Sequence, residues 1–351
     1  VDNIITRGIV HTSAGNINNN TIGSITLAGN NNQTVRLEAI YRSGTLSSDI
    51  TINNNTIGST TQSNSLQQTS STFEFQLTGI HTQATGVLIT MNSNTVSNLR
   101  VTNNSSSSRI RGIYQARSTS PSLSVNNNVI SNLYCASSAS AFDNRYPDNT
   151  SLIALFTGSS STTQNFSGNT IHSLYGTDNS DSYVQGFGYY SNVAKGTFEK
   201  NRIYNLNHSS TTGAAKIWGI NAFWGSWNIY NNQISITNGE ASDSYNSGVI
   251  VQPRQLTGNT DQSGPVSDEV ANNFVKDQQL VKTAIDKNSI PEEDFSTNGV
   301  EIKGIHDEAE FVSAYYYNTI YIGGTASGGS AGSWAYDRPL LAWATDAALR
   351  K

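Results

Sequence analysis

Met91-Asn92-Ser93-Asn94-Thr95-Val96-Ser97-Asn98-Leu99 and Val125-Asn126-Asn127-Asn128-Val129-Ile130-Ser131-Asn132-Leu133 are two copies of one pattern. An Asn carries an apolar residue three places before it and an Ile or Val two places after it. The arrangement recurs at Asn20, Asn55, Asn94, Asn128, Asn169, Asn201, Asn232, Asn273 and Asn318. Two places on lie Ile22, Ile57, Val96, Ile130, Ile171, Ile203, Ile234, Val275 and Ile320. Three places before lie Ile17, Ile52, Met91, Val125, Phe166, Phe198, Ile229, Val270 and Tyr315.

Apolar residues five apart cannot both face inward on one uninterrupted strand, where side chains alternate with period two. A corner must reset the parity between them. Asn tolerates the left-handed conformation best among non-glycine residues, so the bend is expected at the recurring Asn itself. Stacked units then place the amides in a column, each bonding the next.

A second marker is an apolar residue usually preceded by Gly: Ile9, Ile80, Ile113, Phe187, Ile220, Val249 and Ile305, with Ile40 and Leu155 in the remaining units. It precedes the Asn at a rather constant distance, 14 residues from Ile80 to Asn94 and 12 from Ile220 to Asn232, except at Asn273, which follows Val249 by 24. The interval from an Asn to the next marker ranges from 17 residues (Asn232 to Val249) to 32 (Asn273 to Ile305). One side of each unit is therefore regular, and the other carries loops of unequal length. Without a steady 3.6-residue apolar period, helical solenoids fit poorly. Leucine-rich repeats need a shorter period, and a propeller needs hairpins.

The expected fold is all-β: a right-handed parallel β-helix of about nine coils with the Asn column at one corner. It is expected to run as a single domain over residues 1–351, with 256–298 the place where an irregular or helical insertion would fall. Within it, Val270, Phe274, Val281 and Ile285 lie near one helical face, but Asp277 interrupts the stripe, and the repeat spacing favours strand.

Tyr316-Tyr317-Asn318-Thr319-Ile320-Tyr321-Ile322-Gly323-Gly324, followed by Ala326-Ser327-Gly328-Gly329-Ser330-Ala331 and Tyr336, resembles the parallel β-helix regions of large secreted or cell-surface proteins of Bacteroidetes-type bacteria. The units at Asn94 and Asn128 look like the same family, and the likeness covers nearly the whole chain. It implies export through the outer membrane, often guided by a C-terminal sorting domain. No such domain is evident, so the chain is expected to be a fragment. Uncapped coils at its ends are expected to meet adjoining domains or to associate end to end.

Charged residues make up 13% of the chain against 36% hydrophobic, with a net charge of −5. That balance, without a Lys/Arg cluster, gives no attraction for phosphate backbones, so nucleic acid is not an expected partner. No run of some twenty apolar residues suggests a membrane span. The lone Cys135 is read as a buried thiol.

With the marker residues inward, His81, Tyr114, Asn221 and His306 face outward, as do Arg111, Trp218 and Lys303 two places earlier. The candidate carbohydrate-binding residues are Trp224, Trp218, Tyr114, His81 and Arg111, which offer stacking rings and hydrogen-bond donors. Trp224, in the turn Phe223-Trp224-Gly225-Ser226, is the most promising platform. Acidic loops at Asp178 and Asp181, and at Glu240 and Asp243, offer oxygen ligands for Ca²⁺ but lack a regular ligand spacing. No column combining acid and base is legible, and no catalytic residue is assigned. Two functions follow. One is a non-catalytic adhesin or stalk module binding a polysaccharide or cell-surface glycan. The other is a β-helix polysaccharide lyase or glycoside hydrolase.

Overall fold

A computed structural model describes residues 4–28, 34–69, 74–102, 108–116, 122–137, 150–161, 163–177, 183–190, 195–209, 214–223, 226–237, 243–252, 268–271, 274–278, 301–307, 313–316, 319–322 and 333–337. Among them the secondary structure is all strand, in three sheets of ten, nine and eleven strands. The chain visits the first, second and third sheets in turn and returns to the first, and each strand pairs in parallel with its counterpart from the neighbouring circuit. The molecule is thus a parallel β-solenoid. Within 256–298, Asp268–Ala271 and Phe274–Gln278 are strands, and the other positions lie outside the described residues.

The repeat pattern becomes ladders of like residues. Ile57, Val96, Ile130, Ile171, Ile203 and Ile234 pair successively on the third sheet. Met91, Val125, Phe166, Phe198 and Ile229 do so on the second. All are buried, with Leu37, Leu77, Ile110, Leu152, Val184 and Ile217 facing them from the first sheet. Each such side chain contributes roughly 1.5–3 kcal/mol relative to exposure. Midway along, Phe166, Phe187, Phe198, Tyr189 and Trp227 fill the interior, the last two stacked at 4.1 Å. Cys135 is buried.

The column Asn residues are inside the coil and bonded in one direction. Asn94 receives the Asn55 backbone N–H at 3.0 Å and the Asn55 amide at 2.9 Å on its Oδ1. Its own Nδ2 donates to the Ile52 carbonyl at 2.7 Å and to Asn128 Oδ1 at 3.0 Å. The chain of amides runs from Asn20 through Asn55, Asn94, Asn128, Asn169 and Asn201 to Asn232. Asn273 and Asn318 lie outside the described residues.

The bend is not at these residues, which corrects the sequence expectation. The left-handed residue is the one before: Asn19, Asn54, Ser93, Asn127, Gly168, Lys200 and Asn231, with φ between 54° and 67°. That position turns the backbone, freeing the next side chain to point inward. A second left-handed residue at Asn98, Asn132, Ser173 and Asn205 resets the parity again between Val96 and Leu99 and their equivalents. A shorter outer ladder joins Asn18, Asn53, Asn92 and Asn126, each accepting the backbone N–H of the next.

The Gly of the second marker has a steric cause. A Cβ on Gly112 would lie 2.4 Å from the Ala154 carbonyl oxygen and 2.7 Å from the Ile130 side chain. The first sheet approaches the third so closely here that, among the described residues, only Gly, or Ala at Ala39, Ala154 and Ala335, occupies the row. Gly112→Val is expected to destabilise by about 1–3 kcal/mol through overpacking. A urea midpoint unchanged from wild type would contradict this packing.

Candidate functional site

Strands Ile4–His11, Val35–Arg42, Phe75–Thr82 and Arg109–Gln115 are neighbours in the first sheet. Their register sets three rows on the outer face. Arg36, Gln76 and Arg109 form one. Arg7, Glu38, Thr78 and Arg111 form the next, and Val10, Tyr41, His81 and Tyr114 the third. Phe156 continues the third row.

The rows are joined by polar contacts. Glu38 accepts from Arg7 Nε on Oε2 and pairs with His81 Nδ1 through Oε1, both at 2.6 Å. His81 Nε2 lies 3.0 Å from the Gln83 amide nitrogen. The rings of Tyr41, His81, Tyr114 and Phe156 follow one another at 5.2, 5.1 and 5.0 Å. Arg7 lies over Tyr41 at 3.7 Å and Arg111 over Tyr114 at 4.2 Å. Such stacks hold guanidinium groups against rings without consuming all their donors.

Burial pushes the Glu38 carboxyl up, but bonds from His81 and Arg7, with their charges, outweigh it and leave the acid below its usual range. Burial pushes His81 down, the Glu38 bond and charge oppose this, and Arg111 and Arg7 reinforce it; the imidazole ends below its ordinary value. His81 is therefore neutral at neutral pH. The network then assigns the proton to Nδ1, donating to Glu38, with Nε2 accepting from Gln83.

The face is not uniformly open. Tyr41, Tyr114, Arg7, Arg36, Arg109 and Arg111 are partly exposed. Further along the sheet, Ile153, Phe156, Gln185, Trp218 and Asn221 are buried although they belong to the same outward rows. Trp218 is 2% exposed, with its ring 5.7 Å from Tyr183, so it offers no ring face to a sugar and is set aside from the site. His81, 8% exposed, supports the neighbouring rings rather than presenting its own.

Of the sequence candidates, the register brings Tyr114, His81 and Arg111 together and leaves Trp218 apart. Trp224, Asp178, Asp181 and Glu240 lie outside the described residues. Asp243 opens the strand Asp243–Gln252, and its side chain is likewise outside them. Among the described residues no three His, Cys, Asp or Glu side chains converge to hold a metal. The expectation that no column combines acid and base is corrected by the row of Arg7, Glu38, Thr78 and Arg111. Arg7, Arg36, Glu38, Tyr41 and Arg109 were not singled out by sequence. They align once Gly8, Ala39, Gly79 and Gly112 are placed in register, which unequal loop lengths conceal. Compared with protein-family models, curated proteins and solved structures, the chain gave no match.

Proposed function

We propose that this chain is a non-catalytic module of a secreted or cell-surface bacterial protein, a right-handed parallel β-helix of about nine coils that binds carbohydrate on the outer face of its first sheet. It serves as an adhesin or stalk, with a polysaccharide or cell-surface glycan as partner. The observation carrying this reading is the row of Tyr41, His81 and Tyr114 at one ring per strand, flanked by arginines. Partly exposed rings backed by guanidinium groups supply the stacking and hydrogen bonding that sugar rings require.

A glycan array followed by calorimetry tests the reading. Tyr114→Ala is expected to weaken the best glycan by about tenfold with the fold retained, the melting temperature falling only modestly because the ring also packs against His81 and Phe156. Binding that is indifferent to both Tyr114→Ala and Tyr41→Ala would overturn it.

The Glu38–His81 pair favours a second reading, a polysaccharide lyase or glycoside hydrolase, because a carboxylate-held neutral imidazole is the form a general base takes. The first reading expects no release of reducing or unsaturated ends from any bound glycan. Turnover abolished by His81→Gln would replace it with the second.

A further inference from the structure

The chain carries 20 Lys and Arg among 351 residues and a net charge of −5. Yet the three outward rows on the first four strands of the first sheet hold four arginines, Arg7, Arg36, Arg109 and Arg111, against one acid, Glu38. Glu38 is already engaged by Arg7 and His81. Glu74, just before the third strand, receives the Thr34 hydroxyl and the Gln76 amide. The Arg36 Nε is buried and meets no hydrogen-bond partner among the described residues. Arg36 and Arg109 stand in one row two strands apart, roughly 10 Å at the ordinary interstrand spacing. Arg111 stands in the next row with its Cζ over the Tyr114 ring, 4.2 Å from the centroid. Cations repeating along the solenoid axis beside a row of rings match a polymer that repeats both a sugar ring and a negative charge.

We infer that the ligand of this face is an acidic polysaccharide, a chain of uronate residues lying along the solenoid axis. Its carboxylates meet Arg36, Arg109 and Arg111, and its rings lie against Tyr41 and Tyr114. The guanidinium fork suits a carboxylate through two parallel N–H donors, giving geometry as well as charge. The inference rests on the carbohydrate-binding reading above and narrows it to one chemical class.

The test is calorimetric titration of the whole chain with three probes: oligogalacturonate, its methyl ester and a neutral cello-oligosaccharide. The acidic probe is expected to bind at least about tenfold more tightly than the other two, with affinity falling as salt is raised. Arg36→Gln and Arg109→Gln are each expected to weaken that probe by about tenfold and to leave the neutral one unchanged. Tyr114→Ala weakens all three. Unchanged far-ultraviolet dichroism and melting temperature in the glutamine variants exclude a folding defect, and Arg36→Lys, which keeps charge without the fork, is expected to restore only part of the affinity. Equal binding of acidic and neutral probes, insensitive to both glutamine variants but sensitive to Tyr114→Ala, would overturn the acidic class and leave the carbohydrate reading intact. Equally tight binding of single-stranded DNA would overturn it too, by showing attraction to any polyanion. Insensitivity of every probe to Tyr114→Ala, or no binding at all, would remove both.

Discussion

Asn94→Asp is expected to be among the most destabilising single substitutions in this protein, at about 3–5 kcal/mol at neutral pH. The side chain is fully buried and makes four hydrogen bonds, two accepted and two donated. Asp keeps the accepting oxygen but loses both amide protons, so the Ile52 carbonyl loses this donor and a carboxylate oxygen is set against Asn128 Oδ1. The neutral truncation Asn94→Ala is expected to cost about 2–4 kcal/mol, since it leaves buried groups unmatched without adding charge. Burial raises the carboxyl pKa in the folded Asp variant, so its deficit relative to Asn94→Ala sets in above the usual carboxylate range, grows with pH, is full only above the raised folded value, and shrinks as pH falls. Urea unfolding followed by the fluorescence of the buried Trp218 and Trp227 reads both effects. Asn228, exposed in the second sheet, is the control position. Equal midpoints for Asn94→Asp and Asn228→Asp would refute the energetic role of the column.

Acid is expected to loosen the solenoid well above the carboxylate range. His208 is fully buried, and burial pushes its pKa from 6.5 to about 4. The unfolded chain takes up this proton below about 6.5, whereas the folded chain resists it until about 4. The group's contribution to stability is thus complete above the unfolded value and falls as pH drops between the two. The lost stability amounts to about 3 kcal/mol, from roughly 1.36 kcal/mol for each tenfold in proton affinity. His172, also lowered by burial and by Arg202, adds in the same direction. Urea midpoints measured from pH 7 to pH 4 are expected to decline steadily, and His208→Gln to flatten much of that decline. A variant as acid-sensitive as wild type would show that the burial of His208 is not what sets the pH response.

What the sequence revealed follows from how tightly each position constrains residue type. The column was legible because few residues other than Asn accept twice and donate twice with a short side chain, so Asn94 and Asn128 repeat without substitution. The bend was misplaced by one residue because the turning position takes Asn54, Ser93, Gly168 or Lys200 alike. In the run Asn18-Asn19-Asn20, three identical residues have three roles: outer ladder, bend and inner ladder. The outward parity of Tyr114, His81 and Arg111 was legible from Ile113 and Ile80 alone. Their partners were not, because Glu38 and Arg7 reach His81 only through a register spanning loops of unequal length. Trp218 shows the opposite limit: it stands in the expected outward row, but enclosure of that row by the protein leaves no trace in the local pattern.

The amide ladder joins residues separated by 35, 39, 34, 41, 32 and 31 positions from Asn20 to Asn232. That separation does not grow with the length of the molecule. Each new turn therefore closes a chain segment of about the same entropy as the last, because closure cost depends only weakly on the length closed. Once one pair of turns exists, it presents a template for its neighbour, and ordering advances as a front rather than waiting for distant parts of the chain to meet. A nascent chain thus orders turn by turn behind the site of synthesis, with about one segment of some forty residues awaiting its place at any time.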